Sequence, residues 1–292
     1  LDVEGPPPIP PLYGLLQAAA APTSGVRIVS DEDGRDRWIS GVAVDPYPVS
    51  DAFVWDACRS GSNGGEKDDG EAKPLPEFGT MTVYLADTCT AAQVRNQAEF
   101  VARAAAAMAA VEGAAVEREF LAGADLSPLQ PHLSDGNGTF PNGDTATSPT
   151  NAVALLDGEI LASGRAGLIH VSPMLAVFLD AARIIHRDGG VLQTTNGTVV
   201  IPGAGYVDGA TPLAHAAPGA NSEWAYATGP IDVRRSEIFQ MPDTLSEALD
   251  RGLGATRDRP NSFTYRVERY YNVAWDTDVQ SAVLVDRCRT TC

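Results

Sequence analysis

The clearest pattern of hydrophobic and polar positions lies between residues 90 and 122 and predicts a long helix. Apolar side chains recur there at intervals of three to four residues, as one face of a helix requires. These positions are Val94, Ala98, Val101, Ala105, Met108, Val111, Ala115 and Phe120. Thr90 and Gln93 have the spacing of a capping box at the start of the helix, and Gly123 follows as a stop signal.

The length of this helix bears on the fold. About 31 residues at roughly 1.5 Å per residue make a rod of about 46 Å, so we expect it to lie along an extended sheet. A coiled-coil helix is the alternative, although the stripe is rich in alanine and lacks the large side chains of a coiled-coil seam.

Alternation with a period of two residues predicts a long strand near the C-terminal end. From Phe263 to Trp275, apolar and aromatic residues alternate with polar ones, so one face of the strand is expected to be buried. Residues 279–285 are expected to form its antiparallel partner.

Between residues 151 and 262 the pattern becomes compact and mixed, with two helices. Ser148-Pro149 and Ser172-Pro173 each place a capping side chain before a proline, which suits the first position of a helix. The first helix is expected to bury one apolar face, made by Val153, Leu156 and Ile160. The second helix is expected to turn Met174, Val177, Phe178 and Ala181 inward.

Short strands are predicted around these helices. The run Gly167–Val171 is short and apolar, and Asn196-Gly197 is a strong signal for a tight hairpin. The predicted strands are residues 167–171, 191–194, 199–202, 224–229 and 231–234.

The beginning of the chain is predicted to be extended rather than globular. Residues 1–37 form an arm, because five of the seven residues from Gly5 to Pro11 are prolines and favour extended chain. Residues 38–88 form a long two-stranded excursion with a polar, glycine-rich tip at 59–76 and a returning strand at 78–85. A disordered insert between two domains is the alternative for this excursion.

Composition narrows the class of protein. The chain has 292 residues, of which 44% are hydrophobic, so a sizeable core is possible. Its formal net charge is -17, and such a surface repels nucleic acid and anionic membranes. An acidic chain therefore suits the wall of a container better than a protein that condenses DNA.

A search for chemistry nominates no catalytic, cofactor-binding or metal-ligating residue. The sequence has no Walker A loop, no HExxH motif and no paired CxxC motif. His170 sits in an apolar strand and is expected to be a core histidine with satisfied hydrogen bonds. The segment Gly203-Ala204-Gly205 is expected to be a turn before Tyr206 rather than a dinucleotide loop. We therefore expect no cofactor and no enzymatic activity.

The sequence shows no signal peptide and no apolar run near 18 residues, so we expect no membrane span. The first residue is Leu1, which leaves open both proteolytic processing and a trimmed numbering.

The order of these parts resembles the Hong Kong 97-type fold of tailed-phage major capsid proteins and encapsulins. The likeness begins with residues 78–85, followed by the helix that ends in VEREFLAG (116–123). It continues through GLIHVSP (167–173), LQTTNGTVV (192–200), WAYATG (224–229) and the strands of residues 266–285, and it covers about residues 38–286.

The resemblance implies an α+β fold with a long spine helix and an axial α/β domain. Its parts would be an N-terminal arm (1–37), an extended β-hairpin loop (38–89), a peripheral domain with the spine helix (90–150), an axial domain (151–262) and return strands of the peripheral domain (263–292).

The resemblance also implies a structural function, that of the major capsid protein of a tailed double-stranded DNA bacteriophage. Copies of the chain would form hexamers and pentamers and tile an icosahedral shell, enclosing DNA without binding it specifically. Cement, scaffold and portal proteins would be further partners. The protein would reside in the virion capsid after assembly in the cytoplasm of a bacterial host.

Covalent links between subunits are a further hypothesis from the resemblance. Some family members form a Lys–Asn isopeptide bond, and the chain's two lysines, Lys67 and Lys73, both lie on the predicted loop. No partner asparagine or catalytic glutamate can be matched. A disulfide through Cys58 is similarly hypothetical, since a reducing cytoplasm disfavours it until lysis.

Three other functions are weighed against the capsid. An encapsulin, which stores a cargo enzyme, shares the fold. A hydrolase with an α/β domain would need a convergent pocket, for which no residues can be nominated. A tail or decoration protein would lack a spine helix followed by an axial α/β module.

Overall fold

A computed structural model of the chain describes residues 8–29, 37–44, 75–90, 97–123, 131–206, 210–241 and 262–288. The helices in these ranges are α1 (Leu15–Ala18), α2 (Gln97–Ala122), α3 (Pro149–Ala162) and α4 (Pro173–Ala181). The strands are β1 (Val26–Ile28), β2 (Val42–Ala43), β3 (Glu77–Phe78), β4 (Met81–Thr90), β5 (Leu168–Val171), β6 (Ile185–Asp188), β7 (Val191–Thr194), β8 (Val199–Pro202), β9 (Ser222–Thr228), β10 (Ile231–Arg235), β11 (Phe239–Met241), β12 (Ser262–Trp275) and β13 (Gln280–Asp286). Short 3-10 turns occur at Arg37–Ser40 and Ala204–Tyr206.

The first sheet is built around β12, the long strand that the alternation predicts. One edge of β12 pairs antiparallel with β4 along the whole of that strand. The opposite edge pairs with β10 and then β11, and β1 adds parallel to β10. The apolar positions of β12 with described side chains are buried as predicted: Val267, Tyr271, Val273 and Trp275.

The partner predicted for this strand is wrong. β13 pairs antiparallel with β9, in a second sheet, and not with β12. Because β4 and β10 already occupy the two edges of β12, residues 276–279 carry the chain across to the other sheet. The chain also crosses between the sheets at Gly229-Pro230, from β9 in the second sheet to β10 in the first. As a result, the two strands before the crossings, β9 and β12, each pair with a strand that follows the other crossing: β9 with β13, and β12 with β10.

The second sheet has the order β13-β9-β5-β8-β7-β6 and is buried on both faces. Successive residues of its central strands alternate between two cores, as a sheet covered on both sides requires. Leu168 and Tyr226 face α2 and the first sheet, whereas Ile169 and Ala225 face α3 and α4. The predicted hairpin is confirmed, with β7 and β8 antiparallel and Gly197 at φ +87° in its turn.

Both predicted helix starts are confirmed. Ser148 accepts a hydrogen bond from the backbone N–H of Asn151 at 3.3 Å, and Ser172 accepts one from that of Leu175 at 3.0 Å. Each serine thereby satisfies a backbone donor that the first turn of a helix leaves without a partner. Pro149 and Pro173 follow as the first helical residues, where a missing N–H costs nothing.

The long helix is confirmed, but its predicted start is wrong. Thr90 is the last residue of β4, paired with Ser262, so it does not cap a helix. α2 is described from Gln97, and residues 91–96 lie outside the described ranges. The predicted stop is confirmed, since Gly123 follows Ala122 with φ +56°, a conformation that favours glycine. The 26 described residues make a rod of about 39 Å.

The buried stripe of α2 differs in phase from the predicted one. Its apolar members are Ala104, Met108, Val116, Phe120 and Leu121, whereas Val111 is 46% exposed. Three glutamates of the helix, Glu112, Glu117 and Glu119, are buried as well. A pattern of apolar residues alone leaves such positions out, and this moved the predicted stripe.

Part of the predicted arm packs on its own chain. Leu15 of α1 is fully buried in the core, and β1 pairs with β10. The base of the predicted hairpin excursion is present as the antiparallel pair β2–β3, next to β4. Residues 45–74, which include Cys58, Lys67 and Lys73, lie outside the described residues. Within the described ranges, no helix is long and apolar enough to cross a membrane.

Candidate functional site

The C-terminal half of α2 meets a glycine turn from the second sheet. The segment Gly203-Ala204-Gly205 is a turn that leads into Tyr206, as predicted. A Cβ on Gly205 would lie 2.5 Å from the carbonyl oxygen of Ala114 and 2.5 Å from the Cβ of Glu117. Only glycine allows the turn to approach the helix backbone this closely.

Glu117 joins three parts of the chain at this point. One carboxyl oxygen, Oε1, accepts a hydrogen bond from the backbone N–H of Leu15 at 2.7 Å. The other, Oε2, accepts one from the N–H of Gly205 at 2.8 Å. Helix α2 therefore holds the N-terminal segment and the glycine turn through one side chain, which is 1% exposed.

The surroundings of Glu117 disfavour its charged form. Burial raises the pKa of Glu117 to about 7, and the hydrogen bonds from Gly205 and Leu15 offset only part of this effect. Desolvation dominates because the partners are backbone dipoles and carry no full positive charge. The carboxyl group can thus change its protonation state near neutral pH.

A buried chain of hydrogen bonds lies behind the turn. The hydroxyl of Thr228 donates to the carbonyl of Gly229, so it accepts from Nε2–H of His170 at 2.9 Å. Nδ1 of His170 is then an acceptor, and the hydroxyl of Tyr206 donates a hydrogen bond to it at 3.2 Å. Burial lowers the pKa of His170 to about 3, so the ring stays neutral. The prediction of a satisfied core histidine is confirmed.

Glu112, a second buried glutamate of α2, has a different partner. The carboxylate of Glu112 forms an ion pair with Arg269 of β12, with Nη1 3.0 Å from Oε2. Arg269 also lies 3.4 Å from the hydroxyl of Tyr271. The middle of α2 is thereby fixed to the first sheet by a charge pair.

A cleft of about 720 Å³ lies between β1, β2 and the β10–β12 pair. Its charged lining includes two ion pairs, Arg27 with Asp232 and Arg165 with Asp276.

Two other histidines and the described cysteine, Cys288, have separate surroundings. His215 is stacked on Phe140 and lies 2.8 Å from a carboxyl oxygen of Asp144. His132 contacts Ser134 near the end of α2, and Cys288 is exposed with a free thiol. Within the described residues, no group of three or more His, Cys, Asp and Glu side chains is placed to hold a metal ion.

Comparisons with known proteins bear on the whole architecture. No family model and no curated protein matches the sequence. Among solved structures, the chain is similar to one described as the capsid of an empty GTA particle computed with C5 symmetry. That likeness has 10% identity, covers 98% of this chain and 95% of that one, and has a TM-score of 0.52.

Two other structures are similar. The structure from Microbacterium phage Oxtober96 has 11% identity, with 98% of this chain and 93% of that chain covered and a TM-score of 0.52. The holo-SrpI encapsulin complex from Synechococcus elongatus PCC 7942 has 11% identity, 76% and 79% coverage and a TM-score of 0.48. The chain has the Hong Kong 97-type capsid fold.

In the terms of the Hong Kong 97-type fold, α2 is the spine helix and β2–β3 is the base of the extended loop. The second sheet, with α3 and α4, is the axial α/β unit. Glu117 then lies where the spine helix, the axial unit and the N-terminal segment meet.

The axial unit of this fold carries an apolar surface that the sequence pattern assigns to the interior. Met174, Val177 and Phe178 of α4 are 55%, 67% and 38% exposed, so the prediction that they face inward is wrong. Leu175 and Leu179 are buried instead. Both sides of α4 are apolar, so the spacing of its apolar residues does not predict which side packs on the sheet. We call Met174, Val177 and Phe178 the α4 face.

Glu117 is the residue that the sequence reasoning missed. A signal was available, because the stripe through Met108 and Phe120 passes close to two acids at helical spacing, Glu112 and Glu117. An acid in the buried phase of a helix must find a partner inside the protein. The identity of that partner, a cation for one acid and two backbone donors for the other, depends on distant parts of the chain.

Proposed function

We propose that this chain is the major capsid protein of a tailed double-stranded DNA bacteriophage, assembling as hexamers and pentamers into an icosahedral shell that encloses the genome. The observation that carries the proposal is the likeness of 98% of the chain to a capsid subunit in the Hong Kong 97-type fold. The structures it resembles are shell proteins, which favours a structural role over an enzymatic one.

Charge supports the same proposal. With a net charge of -17, the chain does not adhere to packed nucleic acid through its whole surface. Such a wall encloses DNA without condensing it. We include in the proposal a location in the virion, assembly in the host cytoplasm, and portal, scaffold and cement proteins as further partners.

The proposal assigns the α4 face to contacts between copies of the chain. Three large apolar side chains on adjacent turns of a helix are unusual on a protein that works alone, and they mark sites of association. A neighbouring copy within a hexamer or pentamer would cover them. The predicted division into arm, loop, peripheral and axial parts is retained as part of the proposal, except that β13 moves from the peripheral to the axial part because it pairs with β9 in the second sheet.

Electron microscopy of negatively stained particles, together with light scattering, tests this function on the purified chain with and without a co-expressed scaffold. We expect closed shells or rings of capsomer size. A chain that remains a folded monomer under all these conditions would contradict the proposal. Small empty shells that recruit a cargo protein would favour the encapsulin alternative instead.

A pair of variants tests the α4 face. Val177→Asp puts a charge on the face and should abolish rings and shells while the subunit stays folded. Val177→Thr keeps nearly the same shape without a charge and serves as the matched control, which should still assemble. If Val177→Asp assembles as well as the control, the α4 face is not a contact between copies.

A further inference from the structure

The N-terminal segment, residues 8–24, is attached to the rest of the protein through the short helix α1 and its flanks. α1 has only four residues, and Leu15 and Ala18 are its buried members. Tyr13 and Gln17 line a small cavity of about 30 Å³ with Val191 and Val200 of the second sheet. Arg187 lies 5.4 Å above the ring of Tyr13. A helix of four residues has few internal hydrogen bonds, so it opens at a lower free-energy cost than the core does.

Glu117 is the polar anchor of this segment. The N–H of Leu15 starts α1 and has no partner within the helix, and it donates to Oε1 of Glu117 in a buried site. Gly14 comes close to the same oxygen, since a Cβ at Gly14 would lie 2.6 Å from Oε1. With the segment docked, the carboxyl group is shut away from water. If the segment undocked, water would reach the carboxyl group.

We propose that Glu117 is a proton-linked latch for the N-terminal segment: the segment stays docked while the carboxyl group is protonated, and ionisation of the carboxyl group favours undocking. The latch concerns a single subunit and is independent of the proposed capsid function.

The direction follows from linkage between protonation and docking. In the docked form the pKa of Glu117 is about 7, against 4.5 for a solvated glutamate. The docked form therefore binds more protons between these two values, and the stabilisation by protonation is fully present below pH 4.5. It is lost as pH rises through about 7. Alkaline conditions thus favour the undocked form, in which the charge is hydrated.

The titratable and charged groups near Glu117 come from the glycine turn, β5, α1 and α2 itself, where Glu119 is also buried. The glycine turn brings the phenol of Tyr206, whose pKa is raised by burial and by the charge of Glu117. Strand β5 brings His170 behind that phenol, and burial keeps its ring neutral by lowering its pKa to about 3. α1 brings the uncharged amide of Gln17. On α2, Glu112 is directed to Arg269, and Arg118 is exposed.

Hydrogen exchange measured by mass spectrometry on the full chain between pH 5 and pH 8.5 tests the latch. Each rate is corrected for the intrinsic exchange rate at that pH. We expect protection of residues 12–21 to fall on the order of 50-fold from pH 5 to pH 8 and then to level off. Peptides from α4 in the same samples provide the internal reference and should change by less than about 3-fold.

Three variants separate the latch from general loosening. Glu117→Gln removes the titration, so protection of residues 12–21 should become nearly independent of pH. Glu112→Gln makes the same change on the same helix at an acid that contacts β12, and it should keep the wild-type pH dependence. Leu15→Ala removes core contact without removing the titrating group. It should lower protection at every pH and keep the slope.

Two results would overturn the latch. One is wild-type protection of residues 12–21 that does not change between pH 5 and pH 8 relative to α4, which needs no variant to fold. The other is a slope in Glu117→Gln equal to that of the wild type.

Discussion

Helices α3 and α4 begin alike, pack against the same face of one sheet and differ on their outer sides. Each starts with a serine cap and a proline, and each buries leucine against the second sheet. Each ends with a residue in the left-handed conformation, Gly164 at φ +69° and Arg183 at φ +58°. The sides of the two helices that face the sheet are therefore packed in the same way.

The outer halves differ. α3 turns small residues such as Ala154 and Gly158 to solvent along its middle. α4 exposes the large side chains of the α4 face. Because a helix needs only one apolar face to join a core, the second apolar face of α4 is not required for packing on its own sheet. The comparison teaches that burial within the subunit explains α3 except for Leu161, which is 57% exposed near the end of that helix, but explains only half of α4.

The largest expected effect on the free energy of unfolding tests the buried sides that the two helices share. Leu156→Ala on α3 and Leu179→Ala on α4 each remove a side chain that is at most 1% exposed. Each should lower the free energy of unfolding by about 2–5 kcal/mol, through lost burial and the cavity left behind. Urea denaturation of unassembled subunits measures this. A loss under about 1 kcal/mol for either would mean that the two inner faces are not equivalent.

A smaller effect is expected at the two helix starts. Ser148→Ala and Ser172→Ala each remove the acceptor for a backbone N–H in the first turn. We expect each to cost about 1 kcal/mol in the same denaturation experiment. Ser148→Thr and Ser172→Thr keep a hydroxyl and are the controls. If the alanine variants match the threonine variants, the hydroxyls do not act as caps.

The helix ends should respond in opposite directions. Arg183 pays a steric cost in the left-handed conformation, where its N–H bonds to Asp180 and the next N–H bonds to Leu179. Arg183→Gly should therefore raise the free energy of unfolding by about 0.5–1 kcal/mol, whereas Gly164→Ala should lower it by about 1 kcal/mol. Thermal unfolding of the two variants side by side checks the signs. Changes of the same sign would refute this account.

The smallest effect on folding is expected where the helices differ most. Val177→Ala trims a side chain that is 67% exposed, so unfolding of the lone subunit should change by less than about 0.5 kcal/mol. Val153→Ala makes the same change at a side chain that is 5% exposed and should cost more. Assembly should show the reverse order, with Val177→Ala the more damaging. Equal effects of the two changes on folding would remove the distinction between inner and outer faces.

Local signals predicted much of the fold. The Ser-Pro pairs, the Asn-Gly hairpin and Gly123 each act within a few residues, and all three predictions are confirmed. The alternation in β12 is also a local property of the chain. Predictions that needed a distant partner fared worse. β13 was assigned to its neighbour in sequence, but the edges of β12 are taken by β4 and β10, which come from remote segments.

The candidate site was less predictable than the fold. The pattern of apolar residues placed Val111 inside and left out Glu117. It cannot show that the backbone N–H groups of Leu15 and Gly205 donate hydrogen bonds to a buried acid. The α4 face was assigned to the core for a related reason. A nine-residue helix with apolar residues on both sides gives no preference for either side until the sheet is in place.

The sequence by itself determined the starts of α3 and α4, the hairpin turn, the end of α2, the acidic charge of the chain and the resemblance to a shell fold. These depend on caps, periodicity and composition, which neighbouring residues set. Only the tertiary structure decided which sheet β13 joins, which side of α4 remains exposed and that Glu117 is buried against Leu15 and Gly205. Strand partners, exposed faces and buried acids all depend on contacts between segments far apart in the chain. A local sequence pattern cannot predict those contacts.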